Sequence, residues 1–169
     1  MALRQAVLVP GAEIVGDTTH STYDTLQAAF GLQGAESAWH IEDDAELTAR
    51  WAQKAAWLVQ GHPDAIIQTY SSERADLTRG ERWRGPPWGS SLCFHWPGHL
   101  VADVMEYAAA WEHPPHRTKR HNDDMLTDYL RARKLKYWNA VPSLVTHRAG
   151  YSTRSGRYWH ERPSLTFER

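Results

Sequence analysis

The sequence predicts an α/β fold, a sheet sandwiched between helices, and three observations lead there. Runs with strand character alternate with runs of helical period. The strand-like runs are short and bounded by Gly, Pro or Asp. A chain of 169 residues makes one domain (1–169) large enough for a real core, and nine tryptophans supply apolar area to fill it.

Residues 5–9 and 12–16 read as strands, punctuated by Pro10-Gly11 and closed at Asp17. Ser21 or Thr22 caps a helix with Leu26, Ala29 and Phe30 on one face, stopping near Gly31 or Gly34. A central strand over 38–42 runs into Glu42, Asp43 and Asp44. A helix from about 45 to 60 then carries Leu47, Trp51, Ala55 and Leu58 at helical spacing, until Gly61 and Pro63 end it. Residues 65–70 are a further strand. Residues 71–89 mix Arg74, Arg79, Arg82 and Arg84 with Trp83, Trp88 and the breakers Gly80, Gly85, Pro86 and Pro87, and read as a long functional loop with no regular element.

Ser90 to Trp96 is a strand, and Pro97 opens a helix through Leu100, Val104, Tyr107 and Trp111. A loop rich in Pro, His and basic residues (112–121) leads to Asn122 as N-cap. The helix over 123–134 starts with Asp123-Asp124 and buries Leu126, Tyr129 and Leu130. Tyr137-Trp138 and Leu144-Val145 are short strands around Pro142. Gly150 onward reads as an irregular basic tail.

The net charge of −1 hides an asymmetry. Residues 1–70 carry only Arg4, Arg50 and Lys54 as cations against many acids, whereas the C-terminal part is basic. That polarity suits a metal-binding half and an anion-facing half, although scattered solvated charge gives the same count. The lone Cys93 excludes an internal disulfide and a cysteine-based metal site, and its setting reads as a small core residue. No apolar leader or run of transmembrane length is present, so the expectation is a soluble, cytoplasmic protein with no membrane partner.

Three adjacent carboxylates, Glu42-Asp43-Asp44, repel one another. They make most sense where a divalent cation or hydrogen-bond donors offset the charge. A solvated acidic helix start fits equally well, because acids favour the first helical turn. Two further clusters are His121-Asn122-Asp123-Asp124 and His147, which ends Val141-Pro142-Ser143-Leu144-Val145-Thr146-His147. Each has a plain structural reading as helix cap or core histidine. If they converge, carboxylates of the first cluster and His147 suit manganese (Mn2+) or magnesium (Mg2+), and a carboxylate of the second serves as a general base.

In order along the chain, Ile41-Glu42-Asp43-Asp44-Ala45, Gly89-Ser90-Ser91-Leu92-Cys93-Phe94, Asp123-Asp124-Met125-Leu126-Thr127-Asp128-Tyr129-Leu130, and Pro142 to His147 followed by Gly150-Tyr151-Ser152 resemble the GT-A family of nucleotide-sugar glycosyltransferases, especially small phage-type members. The resemblance spans roughly residues 12–167. It implies a Rossmann-like mixed sheet flanked by helices and a metal-dependent, inverting hexosyl transfer from a nucleotide sugar, a UDP-sugar first. Glu42, Asp43, Asp44 and His147 would hold the metal that binds the donor diphosphate. Asp123 or Asp124 would take the acceptor's proton. Arg148, Ser152 and Asp17 would contact the donor. The family opens with a strand–helix unit that builds much of the nucleotide pocket; only about forty residues precede the acidic turn here, so that unit is abbreviated.

Guanidinium groups meet phosphates and indoles stack on bases. Arg82, Trp83, Arg84 and Trp88 are therefore the expected residues for an anionic, base-bearing acceptor; the resemblance to small phage-type members implies a modified DNA base as one acceptor, with a saccharide or protein as others. A homodimer covering an exposed sheet edge is also expected. Two other readings stand beside the transferase: a metal-dependent phosphoesterase or nuclease using the same acids, and a non-catalytic nucleic-acid-binding accessory domain.

Overall fold

The structure is a computed structural model and describes residues 37–42, 44–71, 73–112, 122–147, 150–152, 157–159 and 164–167. It is a mixed α/β fold. In chain order the elements are β1 (Ser37–Ile41), β2 (Ala45–Leu47), α1 (Trp51–Gly61), β3 (Ile66–Gln68), α2 (Asp76–Arg79), β4 (Arg82–Arg84), β5 (Cys93–Pro97), α3 (Gly98–Ala110), α4 (Asn122–Arg133), β6 (Tyr137–Asn139), β7 (Val145–His147), β8 (Gly150–Ser152) and β9 (Arg157–Trp159). The strands and helix expected within residues 5–34 lie outside the described residues.

Five strands form one sheet in the order β1-β5-β3-β6-β4. Only β3 and β6 run parallel, with Gln68 opposite Asn139; the other pairs are antiparallel. Strand β1, expected to be central, is an edge of this sheet among the described residues, and β4 is the other edge. Helices cover both faces, which explains why β5 is buried at every position and shows no polar alternation. On one face Ile66, Phe94, Trp96 and Tyr137 pack against α3 and α4 through Val104 and Tyr129. On the other, Ile67 and Cys93 pack against Trp51, Ala55 and Leu58 of α1. Cys93 is buried, as its sequence setting implied, and burial pushes its thiol up to about 12.

Three elements differ from expectation. Ala45–Leu47 is not the start of a helix. It pairs antiparallel with β7, and Arg50 adopts the left-handed conformation (φ 56°), so α1 begins only at Trp51. The 71–89 stretch is not one long loop, because it contains α2 and β4. Asp76 is fully buried there and pairs with Arg82 at Oδ1, while its Oδ2 accepts from Ser71 Oγ and, at 3.2 Å, from Asn139 Nδ2. Paired and hydrogen-bonded, a charged residue can enter a core that its composition alone argues against. The tail after Gly150 is not irregular throughout, since β8 and β9 pair with Tyr151 opposite Tyr158.

Helix α4 follows the expected pattern. Asp123 and Asp124 sit in its first turn and Arg131 and Arg133 in its last, the arrangement that complements the helix dipole. Residues 164–166 close over the loop before β7. Ser164 Oγ lies 2.7 Å from both the Ser71 carbonyl oxygen and Ser143 Oγ, and Ser164 N–H donates to Thr146 Oγ1 at 2.9 Å. Ser143 N–H donates to Thr166 Oγ1 at 3.0 Å. Among the described residues no helix is long and apolar enough to cross a membrane.

Candidate metal and transfer site

Strand β1 delivers the acidic turn. Glu42 N–H donates to the Leu92 carbonyl at 2.9 Å, and the Glu42 carbonyl accepts from Ala45 N–H at 3.1 Å, which closes a tight turn before β2. The β2–β7 register then sets Ala45 opposite His147. As a result Asp44 Oδ2 and His147 Nδ1, 103 residues apart in sequence, lie 3.2 Å apart. Asp44 is half exposed (51%), while His147 is mostly covered (21%) and its ring stands edge-on to Tyr70 at 5.2 Å. The first and third clusters read from the sequence therefore meet. Glu42, 29% exposed, has its Oε1 4.0 Å from His40 Nε2. Burial pulls His40 down to about 4, so it is neutral near pH 7 and adds no positive charge to the turn.

The second cluster is connected to the acidic turn through one short segment. Ser91 Oγ donates to Asp123 Oδ1 at 2.5 Å, and Ser91 precedes the residue whose carbonyl holds Glu42. Ser90 Oγ accepts from Leu92 N–H at 3.2 Å, and Thr127 of α4 accepts from Trp88 N–H at 2.9 Å. Residues 88–92 thus strap the acidic turn to the first turn of α4. A Cβ at Gly89 would come within 2.7 Å of the Gln68 side-chain amide, so that amide would have to shift to accept any larger residue in this strap. Asp123 is exposed and Asp124 half-buried. Ser91 was not singled out from the sequence as a site residue; the small-residue run Gly89-Ser90-Ser91 was its signal.

Among the described residues no group of three or more His, Cys, Asp or Glu side chains is gathered as a metal cage. Asp43 lies outside the described residues, as do Asp17 and Arg148; Ser152 is described only as a backbone position in β8. Two neighbouring ligands on an octahedral ion at about 2.1 Å are about 3.0 Å apart, so the Asp44–His147 separation fits a shared ion. Mg2+ in particular keeps several waters and takes one or two carboxylates plus substrate phosphates, so a two-residue foothold suits it.

The expected acceptor residues separate into two kinds. Arg82 is engaged by buried Asp76, and Arg84 pairs with Glu73 and lies 5.8 Å from the Tyr137 ring centre. Trp88 is 5% exposed and packs edge-on against Phe94 and Tyr137. Trp88 therefore belongs to the core, while Arg82 and Arg84 are each paired with a neighbouring acid. Trp83 differs, since it is 51% exposed on edge strand β4, standing edge-on to Trp138 at 5.6 Å.

Compared with known protein families, curated proteins and solved structures, the chain matches none.

Proposed function

We propose that this chain is a metal-dependent glycosyltransferase of the GT-A type, moving a sugar from a nucleotide-sugar donor, a UDP-sugar first, to an acceptor hydroxyl with inversion. The observation that carries the reading is the Asp44–His147 pair at the end of the acidic turn, 3.2 Å apart, with Asp123 tied to that turn through Ser91. Asp44 and His147 would hold Mn2+ or Mg2+, with Glu42 and Asp43 beside them. When bound, the ion supplies positive charge that offsets the charge on the departing diphosphate.

The remaining chemistry falls to the chain. Asp123, exposed and held by the Ser91 hydroxyl, accepts the proton of the acceptor hydroxyl as that oxygen attacks the anomeric carbon. The bond from that carbon to the diphosphate oxygen breaks, and its electron pair leaves with the diphosphate. The acceptor carried forward is a hydroxyl on a modified DNA base, for which exposed Trp83 offers a ring to stack on.

Calorimetry with UDP, GDP and their sugar derivatives, with and without Mn2+, tests the reading. Metal-dependent binding that disappears in Asp44→Ala and His147→Ala supports it. A folded protein that binds no nucleotide under any of these conditions sinks it. Phosphodiester cleavage abolished by the same substitutions would move the site to the phosphoesterase class.

A further inference from the structure

We propose that α1 carries a binding surface for single-stranded nucleic acid, with a base stacked on Trp57 and backbone phosphates held by Arg50 and Lys54. Arg50, Gln53, Lys54 and Trp57 together line a groove of about 290 Å³. Gln53, Lys54 and Trp57 are spaced to share one stripe of the helix, and Arg50, its left-handed N-cap, completes the groove lining at the helix start. The stripe that packs into the core is a different one, Trp51, Ala55 and Leu58. The outer stripe therefore serves no packing within α1's own core contact, yet it holds an indole that is 69% exposed, the most exposed of the large apolar side chains described.

A single exposed tryptophan needs no explanation. This one shares its groove with two cations, Arg50 and Lys54, and residues 50–61 contain no carboxylate, inside an N-terminal half that is otherwise acidic. The first turn of α1 has no acid to neutralise Arg50. Lys54 Nζ is positioned by one hydrogen bond to Thr48 Oγ1 at 3.1 Å, which leaves two of its N–H donors for a ligand. An exposed indole in one groove with two positive charges suits a polyanion that also bears flat rings. Duplex DNA hides its base faces in the stack, so the matching form is single-stranded.

The binding itself is independent of sugar transfer. Its purpose rests on the transferase reading: Arg50 follows Asp44 by six residues, so a strand held on α1 lies within about 20 Å of the acidic turn.

The test is fluorescence anisotropy of the full chain with a labelled oligothymidylate about 12 nucleotides long, across a salt series. Trp57→Ala is expected to weaken binding roughly 5- to 150-fold. Arg50→Gln with Lys54→Gln should lower the slope of log affinity against log salt by about 1.4, two phosphates' worth. Asp44→Ala should bind the strand as the unaltered protein does, which separates this surface from the transfer site. Circular dichroism checks that each variant is folded. Absence of binding at low salt overturns the proposal. So does Trp57→Ala binding undiminished, or a duplex or base-free polyanion binding as tightly as the single strand.

Discussion

Arg82→Met offers the sharpest check on how the 71–89 segment is built. Asp76 is fully buried, and Arg82 is the cation paired with its Oδ1; Ser71 and Asn139 serve only Oδ2. Removing one partner of a buried pair costs about 3–5 kcal/mol, because the other charge stays behind without compensation. Arg82 keeps 23% of its side chain exposed, so water near the vacated site recovers part of the loss and about 3 kcal/mol is expected. With an m-value of about 2 kcal/mol/M in urea, the unfolding midpoint falls by about 1.5 M. Adding Asp76→Asn removes the stranded charge while leaving an oxygen for Ser71 to donate to. The double variant should therefore be more stable than Arg82→Met alone, recovering about half the loss. A midpoint shift below about 0.5 M, or a double variant no more stable than the single one, refutes the structural reading of this pair.

Four further outcomes follow from the same structure. His40 is held neutral by burial, with its pKa pulled from 6.5 to about 4; a base depressed on folding contributes stability that is complete above 6.5 and lost as pH falls towards 4. Stability should drop by up to about 3 kcal/mol across that window, and His40→Phe should remove that part of the slope in acid unfolding curves. Asp44→Ala and His147→Ala should each weaken Mn2+-dependent nucleotide binding at least about tenfold by calorimetry while leaving the thermal midpoint within a few degrees, since both side chains lie at the surface end of β2 and β7. If Asp123 is the base of the proposed transfer, Ser91→Ala should lower kcat about tenfold with an unchanged donor KM, because the hydroxyl bonds Asp123. Gly89→Ala should cost about 1–2 kcal/mol alone and close to nothing when added to Gln68→Ala, which has already removed the crowded amide.

What was legible in the sequence is what periodicity and local signals encode. Trp51, Ala55 and Leu58 announce α1, Pro97 announces the start of α3, and Asn122-Asp123-Asp124 announces α4. The three chemical clusters were legible too, by residue type. Their distances were not, because the 3.2 Å between Asp44 and His147 comes from the β2–β7 register, and Ala45–Leu47 carries a pattern that continues smoothly into helical spacing. Strand β4 was missed for a related reason. Arg82-Trp83-Arg84 looks solvated until Asp76 and Glu73, six and eleven residues from their partners, are brought to it by the turn after α2. Trp88 shows the opposite failure, since proximity to arginines in sequence suggested a stacking surface while its ring belongs to the core.

The closing of residues 164–166 over Ser71, Ser143 and Thr146 has a consequence for how the chain matures on the ribosome. Strand β7, which carries His147, has its preceding loop fastened by groups that are synthesised after it, and the Ser71–Ser164 bond joins positions 93 residues apart. At about 5–20 residues per second, translation from His147 to Thr166 takes roughly one to four seconds. During that interval Ser71, Ser143 and Thr146 lack their final partners, so the acidic turn is complete well before the strand that answers it is secured. The site is thus assembled from its acidic side first, and its histidine side is fastened among the last steps of synthesis.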